Sequence, residues 1–312
     1  MPWFDALART DLSGDGRKAR IYVLKPDAGA PTFIWRQAAL SVNQRIIPVS
    51  QIVSKGTALI TGASSGIGAI YADRLAKRGY DLILVARSEK RLNEVVSRLS
   101  HENGRKVTAL VADLGDKAGR AKVEAVLRDD PSITMLVNNA GVGSVASILQ
   151  AEVDEMEDMI ELNITALTRL TYAAAPVFVA RGSGTIINIS SVVGIAVEAL
   201  NGVYSASKSY VLSFGHSLQK DLASKGVRIQ SVLPASTATD FWDVAGYSAQ
   251  KTAAVTMSAA NMVDAALVGL DKGELVTIPS LHDGDEWLRW EEARRAMAKQ
   301  FNNPLPAPRY KP

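Results

Sequence analysis

Between residues 57 and 278, short β-rich runs recur at intervals that leave room for one helix each. This alternation constrains the fold more than any other feature. The runs are TALIT (57–61), DLILVA (81–86), KVTALVA (106–112), ITMLVN (133–138), TIINIS (185–190), VRIQSVL (227–233) and ELVTI (274–278). Helical spacing is found at 66–79, 88–101, 116–129, 153–181, 203–225 and 261–272, with a further amphipathic segment at 284–299. The strands are continuous apolar runs, as expected where both faces of a sheet are covered. The pattern predicts an α/β fold: a doubly wound, Rossmann-like parallel sheet of about seven strands flanked by helices, in a single domain. Ligands of such a sheet bind beyond the C-terminal ends of its strands. No internal repeat of solenoid length interrupts the pattern.

The first strand–turn–helix unit carries TGASSGIG (61–68). Gly62 permits a tight turn, Gly66 lets backbone approach a phosphate, and Gly68 allows close helix–strand packing. The N–H groups and dipole of the following helix, reached past Ile67, favour an anion there, and Ser64 and Ser65 add hydroxyl donors. Taken alone, the stretch also reads as an ordinary glycine turn. The second strand ends in Ala86-Arg87, where an acid for a ribose 2′-OH is expected. A guanidinium there suits a 2′-phosphate, which favours NADP(H) over NAD(H). The alternative is a solvated loop charge. At the end of the third strand, Asp113-Leu114 offers a carboxylate for an adenine amino group, or equally a helix N-cap.

The richest segment is GTIINISSVVGIAVEALNGVYSASKSYVLSF (184–214). Tyr204 and Lys208 stand four apart in a helical stretch and share one face. An ammonium beside a phenol favours the phenolate, so the Tyr204 pKa is expected to fall toward neutrality, as acid–base work requires. Ser191 follows an apolar strand, where its hydroxyl is placed to hold an oxygen on which charge builds. Tyr and Lys at this spacing are also frequent on solvated helix faces.

TGASSGIG, the NNAG of 138–141, Asn163 in ELNITAL, Ser191 in NISSVVG and YSASK (204–208) together resemble the short-chain dehydrogenases/reductases in order and spacing. The resemblance spans roughly residues 56–280. It implies a Rossmann-like domain, an NAD(P)(H) cofactor, and oxidation or reduction at a carbonyl/alcohol carbon. It implies Tyr204 as the acid/base and Lys208 as the residue that lowers its pKa and binds the nicotinamide ribose. Ser191 is implied to position the substrate oxygen, and Asn163 to hold a water linking Lys208 to solvent. Asn138, Asn139 and Ala140 are implied to steady the central strand and the adenosine ribose. Pro234, Thr237 and Thr239, in VLPASTATDF (232–241), are implied to meet the nicotinamide and phosphate. One departure is Ala235, where the family usually has Gly after Pro. Alanine resists positive φ, so that turn is expected to differ.

The other departure is the extension before the first strand. Residues 1–55 contain breakers and little periodicity, and are expected to be a poorly ordered extension, with a misplaced start codon as its origin. Domain limits are set at 56–280 for the catalytic domain and 281–312 for a C-terminal helix and tail. Residues 1–56 carry about +4, which leaves about −1 for the rest of a chain whose net charge is +3. Basicity thus gives no support to a nucleic-acid partner. No apolar run reaches membrane-spanning length. There are no cysteines, which excludes disulfides and thiolate sites and fits a cytoplasmic protein. His101, His216 and His282 lack metal-ligand spacing, so no metal is expected.

The substrate loop is expected at about 235–260, where Phe241, Trp242, Tyr247 and Met257 line an apolar pocket or serve as core and dimer contacts. The reading is an NADP(H)-dependent reductase of a ketone, aldehyde or 3-oxoacyl compound. Rival readings are a non-catalytic dinucleotide-binding regulator and an NAD-linked alcohol dehydrogenase. The apolar faces of 153–181 and 203–225, with the family's habit, predict a homodimer or homotetramer.

Overall fold

A computed structural model describes residues 7–9, 22–24, 55–239, 241 and 256–310. The chain divides into two compact units, Met1–Ile52 and Val53–Pro312. In the first, Leu7–Arg9 pairs antiparallel with Tyr22–Leu24. The rest of the expected poorly ordered extension lies outside the described residues, apart from Lys55.

The second unit opens with β1 (Thr57–Thr61), α1 (Gly66–Lys77), β2 (Asp81–Ala86), α2 (Glu89–Asn103), β3 (Val107–Val111), α3 (Lys117–Asp129) and β4 (Ile133–Asn138). It continues with α4 (Val153–Ile160), α5 (Leu167–Arg181), β5 (Gly184–Ile189), α6 (Gly202–Leu222), β6 (Val227–Val232), α7 (Ala259–Lys272), β7 (Val276–Thr277) and α8 (Gly284–Ala298). The sheet runs β7-β6-β5-β4-β1-β2-β3, with every neighbouring pair parallel. Strand order reverses between β1 and β4, which places a ligand crevice beyond their C-terminal ends.

Side chains alternate across the sheet and bury on both faces. Ala58 and Ile60 of β1 pack with Tyr71, Leu75, Leu92 and Leu270 on one side, while Leu59 packs with Leu127, Leu170 and Phe178 on the other. Local chemistry fixes the helix ends. Asp116 accepts from the N–H groups of Ala118 and Gly119 at the start of α3, and Asn201 from those of Val203 and Tyr204 at the start of α6. Gly182 closes α5 in the left-handed region, φ 69°. At the far edge, α8 contributes Trp287 to a cluster with Leu212, Leu233 and Val276.

Two elements differ from the sequence expectation. The helix expected over 153–181 is interrupted by a widened π-helical turn, Glu161–Ala166, which carries Asn163. The strand expected over 274–278 keeps only two residues, because it is an edge strand pairing with β6 alone and Glu274 N–H still serves the end of α7. Among the described residues, no helix is long and apolar enough to cross a membrane.

Candidate active site

A cleft of about 330 Å³ opens over the C-terminal ends of the central strands. Its floor is the turn between β1 and α1. Gly62 has φ 65° and Gly66 φ 53°, values that L side chains rarely adopt. A Cβ on Gly62 would stand 2.8 Å from Asn139 Nδ2, and one on Gly68 would run into the carbonyl oxygen of Gly62. Ser65 occupies the N-cap of α1 without a side-chain cap hydrogen bond, so the first turn's N–H groups receive nothing from it. Ser64, Ser65 and Ile67 all face the cleft. The turn is stapled to the end of β4: Asn139 Nδ2 donates to the carbonyls of Thr61 (2.9 Å) and Gly62 (3.2 Å). Thr61 Oγ1 accepts from the N–H groups of Asn139 (2.9 Å) and Ala140 (3.0 Å). Asn138 is buried and turns the other way, donating to Thr171 Oγ1 (3.1 Å) and Asn188 Oδ1 (2.9 Å). Thr61 and Asn188 carried no signal of their own in the sequence, because their partners are distant in it.

One end of the cleft is cationic. Arg87 follows β2, is 69% exposed and lies 3.8 Å from Asp113 Oδ2. Arg91, one turn into α2, lines the same cleft. Its N–H donates to the capping hydroxyl of Ser88, so the helix start presents two guanidinium groups where the sequence reading found one. Asp113 is not the cap of α3, a role taken by Asp116. Asp113 Oδ1 instead accepts from Gly115 N–H at 2.9 Å, beside the buried Leu114.

The other end is lined by Ser191, Tyr204 and Lys208, with Asn163 buried behind Gly141 and Val142. Tyr204 and Lys208 share the inner face of α6, with Nζ 5.7 Å from the centre of the phenol ring. Lys208 Nζ donates to the carbonyl of Ile189 at 3.1 Å. Asn163 Oδ1 accepts from Val142 N–H (2.9 Å), and its Nδ2 donates to Val142 O (2.9 Å) and Ser207 Oγ (3.1 Å). A Cβ on Gly141 would lie 3.0 Å from Asn163 Oδ1 and 3.5 Å from Lys208 Nζ, so backbone, amide and ammonium converge there. Ser191 Oγ accepts from Val193 N–H and donates to the carbonyl of Pro234, both at 3.3 Å.

The electrostatics correct one expectation. Burial pushes the Tyr204 hydroxyl up to about 12, and only a hydrogen bond with Ser191 pulls the other way. Burial also pushes Lys208 down, to about 8. The sequence reading expected the ammonium to lower the tyrosine. Removal from water dominates instead, disfavouring the charged form of both groups.

The wall beside Tyr204 is apolar, with Val142, Val193, Leu200 and Phe241 clustered against its ring. Of the two roles open to these residues, Phe241 takes the pocket one and faces the cleft, whereas Met257 takes the core one beneath α7. Trp242 and Tyr247 lie outside the described residues. Pro234, Thr237 and Thr239 line the cleft, and Thr237 pairs with Met257 in a two-residue parallel bridge. Among the described residues, no group of three or more His, Cys, Asp or Glu side chains is arranged to hold a metal.

The sequence model of the short chain dehydrogenase family matches residues 56–250. The chain belongs to this family of oxidoreductases. Among solved structures, a short-chain dehydrogenase from Sphingobium yanoikuyae in complex with NADPH is 46% identical with a TM-score of 0.80, over 82% of this chain and all of that one. A bulky-bulky ketone specific alcohol dehydrogenase from Comamonas testosteroni is 41% identical with a TM-score of 0.77, over 82% of this chain and 99% of its own. The very-long-chain 3-oxoacyl-CoA reductase of Anas platyrhynchos is 35% identical over 191 residues, 58% of this chain and 60% of the relative.

Proposed function

We propose that the protein is an NADPH-dependent carbonyl reductase acting on ketones or aldehydes with apolar substituents. The observation that carries this reading is the gathering of Tyr204, Lys208 and Ser191 at the apolar end of a cleft, with Asn163 held behind them by Val142 and Ser207, while the other end holds Arg87 and Arg91. The glycine turn fits a dinucleotide, because added Cβ atoms at Gly62 and Gly66 would occupy or strain it. The pyrophosphate is assigned to this turn, with Ser64, Ser65 and the N–H groups around Ile67 as donors. Arg87 and Arg91 are assigned to a 2′-phosphate, Asp113 and Leu114 to the adenine, and Asn139 and Ala140 to the adenosine ribose. Pro234, Thr237 and Thr239 are assigned to the nicotinamide half. When bound, the nicotinamide supplies the hydride.

The chain's own groups handle the proton. With its pKa pushed up to about 12, Tyr204 is protonated at neutral pH and gives its proton to the carbonyl oxygen as negative charge grows there. Ser191 holds that oxygen as a second donor. Lys208, pushed down to about 8, is poised to return a proton to Tyr204 near neutrality. Asn163, fixed by Val142 and Ser207, steadies the path from Lys208 to solvent.

The NADPH complex of the Sphingobium relative supports the cofactor, and the bulky-ketone specificity of the Comamonas relative supports the substrate class. The test is NADPH consumption over a panel of ketones and aldehydes of graded size, repeated with NADH. Turnover of none of them, or equal use of both cofactors, would contradict the reading. A homodimer or homotetramer is also proposed, across α5 and α6, where Tyr172 is 69% exposed and stacks on Phe214. Sedimentation equilibrium of the full chain tests it, and a monomer would contradict it.

A further inference from the structure

Gly143 follows the NNAG segment and faces the phenol ring of Tyr204. A Cβ built on it would stand 2.5 Å from Phe241 Cζ, 3.0 Å from Phe241 Cε1 and 3.4 Å from Tyr204 Cε2. The first distance is shorter than real side chains show, the second is tight, and the third is ordinary contact. Gly143 is not among the glycines of positive φ, so its backbone would accept alanine. A side chain at 143 therefore requires the ring of Phe241 to move. That ring is centred 5.9 Å from the Tyr204 ring and tilted 44° to it, within the cluster of Val142, Val193 and Leu200.

We infer that Gly143 and Phe241 form a specificity-determining pair that shares one volume beside the reacting hydroxyl and sets the size of the substituent admitted there. The inference rests on the carbonyl-reductase reading above. The bare glycine lets the phenyl ring lean against Tyr204, and the ring then closes the pocket on that side. Neither residue supplies or takes a proton. Their effect falls on which carbonyl compound reaches Tyr204, so it belongs to the ratio of kcat/KM between substrates.

Because the two residues share space, their substitutions have a signature that neither has alone. With Phe241 present, Gly143→Ala forces the ring aside and lowers kcat/KM for small and large ketones alike. With Phe241 already reduced to alanine, the two closest contacts are gone, and the new methyl group meets Tyr204 at contact distance and refills part of the opened space.

The experiment compares acetophenone with benzophenone, using NADPH and the full chain. The variants are Phe241→Ala, Phe241→Leu, Gly143→Ala and the Phe241→Ala/Gly143→Ala double variant. NADPH binding followed by fluorescence reports that each variant is folded, and Phe241→Leu keeps the test open should the alanine variant fail to fold. Phe241→Ala is expected to raise the benzophenone-to-acetophenone ratio roughly tenfold, with Phe241→Leu in between. The double variant is expected to bring the ratio back toward that of the unsubstituted enzyme. A ratio unchanged by both Phe241 substitutions, in an enzyme that still reduces acetophenone, overturns this inference and leaves the carbonyl-reductase reading standing. An identical effect of Gly143→Ala on the ratio in both backgrounds also overturns it. Absence of carbonyl turnover by the unsubstituted, NADPH-binding protein overturns the functional reading and this inference together.

Discussion

Arg120 Nη2 lies 2.7 Å from Glu161 Oε2, and Nη1 of the same guanidinium donates to the carbonyls of Leu114 (3.0 Å) and Gly115 (2.8 Å). Arg120 is only 7% exposed. Glu161 begins the widened turn that carries Asn163, and Leu114 forms part of the cleft wall. One buried cation on α3 thereby ties the end of β3 to the turn that carries Asn163.

Arg120→Met keeps much of the side-chain volume but strands two carbonyls and a carboxylate. Its expected cost is about 2–3 kcal/mol in urea unfolding, because the Glu161 side chain is partly exposed and keeps some solvation. Glu161→Gln still accepts from the guanidinium and is expected to cost less, about 1 kcal/mol. Equal costs for the two variants would show that the carboxylate, and not the shared guanidinium, is the tie.

Replacing both Arg87 and Arg91 by methionine removes the cationic end of the cleft. NADPH Kd is expected to rise by roughly 30-fold or more with NADH Kd changed far less, since only the former offers a 2′-phosphate to a guanidinium. Each single variant should show part of the loss. Calorimetric titration of both cofactors checks this, and parallel weakening of the two would place the arginines elsewhere than at the 2′-phosphate.

The backbone plan was legible because parallel strands buried on both faces are uninterrupted apolar runs, as in DLILVA and ITMLVN. Tyr204 and Lys208 were legible because helical geometry makes positions four apart neighbours. Other features depend on tertiary burial and were not. Nothing local announces that Asn163 sits in a widened turn, since its partners Val142 and Ser207 lie 21 and 44 residues away. Arg91 joins Arg87 only because Ser88 starts the helix where it does. Met257 reads equally as a pocket or a core residue by its chemistry, and only the folded chain, with its bridge to Thr237, places it against the core. The Tyr204 pKa is not legible in sequence, because the charge beside it is local whereas its desolvation comes from the whole fold.

The same burial gives stability a pH signature. Folded Lys208 releases its proton near 8, while the unfolded chain holds it up to the ordinary 10.5. Below 8 the cost of burying this amine is fully present. Between 8 and 10.5 the unfolded state binds more protons, so this group makes stability rise with pH, by at most about 1.4 kcal/mol per pH unit. Tyr204, raised from 10.0 to about 12, makes stability fall with pH only between those two values, above most of the lysine's range. Lys208→Met lacks the first contribution. Its Tm relative to the unsubstituted protein is expected to be most favourable below pH 8 and to decline toward pH 10. A difference that stays flat with pH would mean that Lys208 ionises alike in the folded and unfolded chains.

Tyr204→Phe removes one oxygen from the cleft and leaves the ring that packs against Phe241. The decisive measurement is kcat for the best ketone of the panel, taken alongside NADPH Kd. The expected result is a fall in kcat of roughly 10²–10⁴-fold with NADPH Kd held within about threefold, since the hydroxyl is proposed as the proton donor and not as a main anchor of the dinucleotide. Ketone reduction by the phenylalanine variant at a rate close to that of the unsubstituted enzyme would contradict the assignment of Tyr204 as the acid.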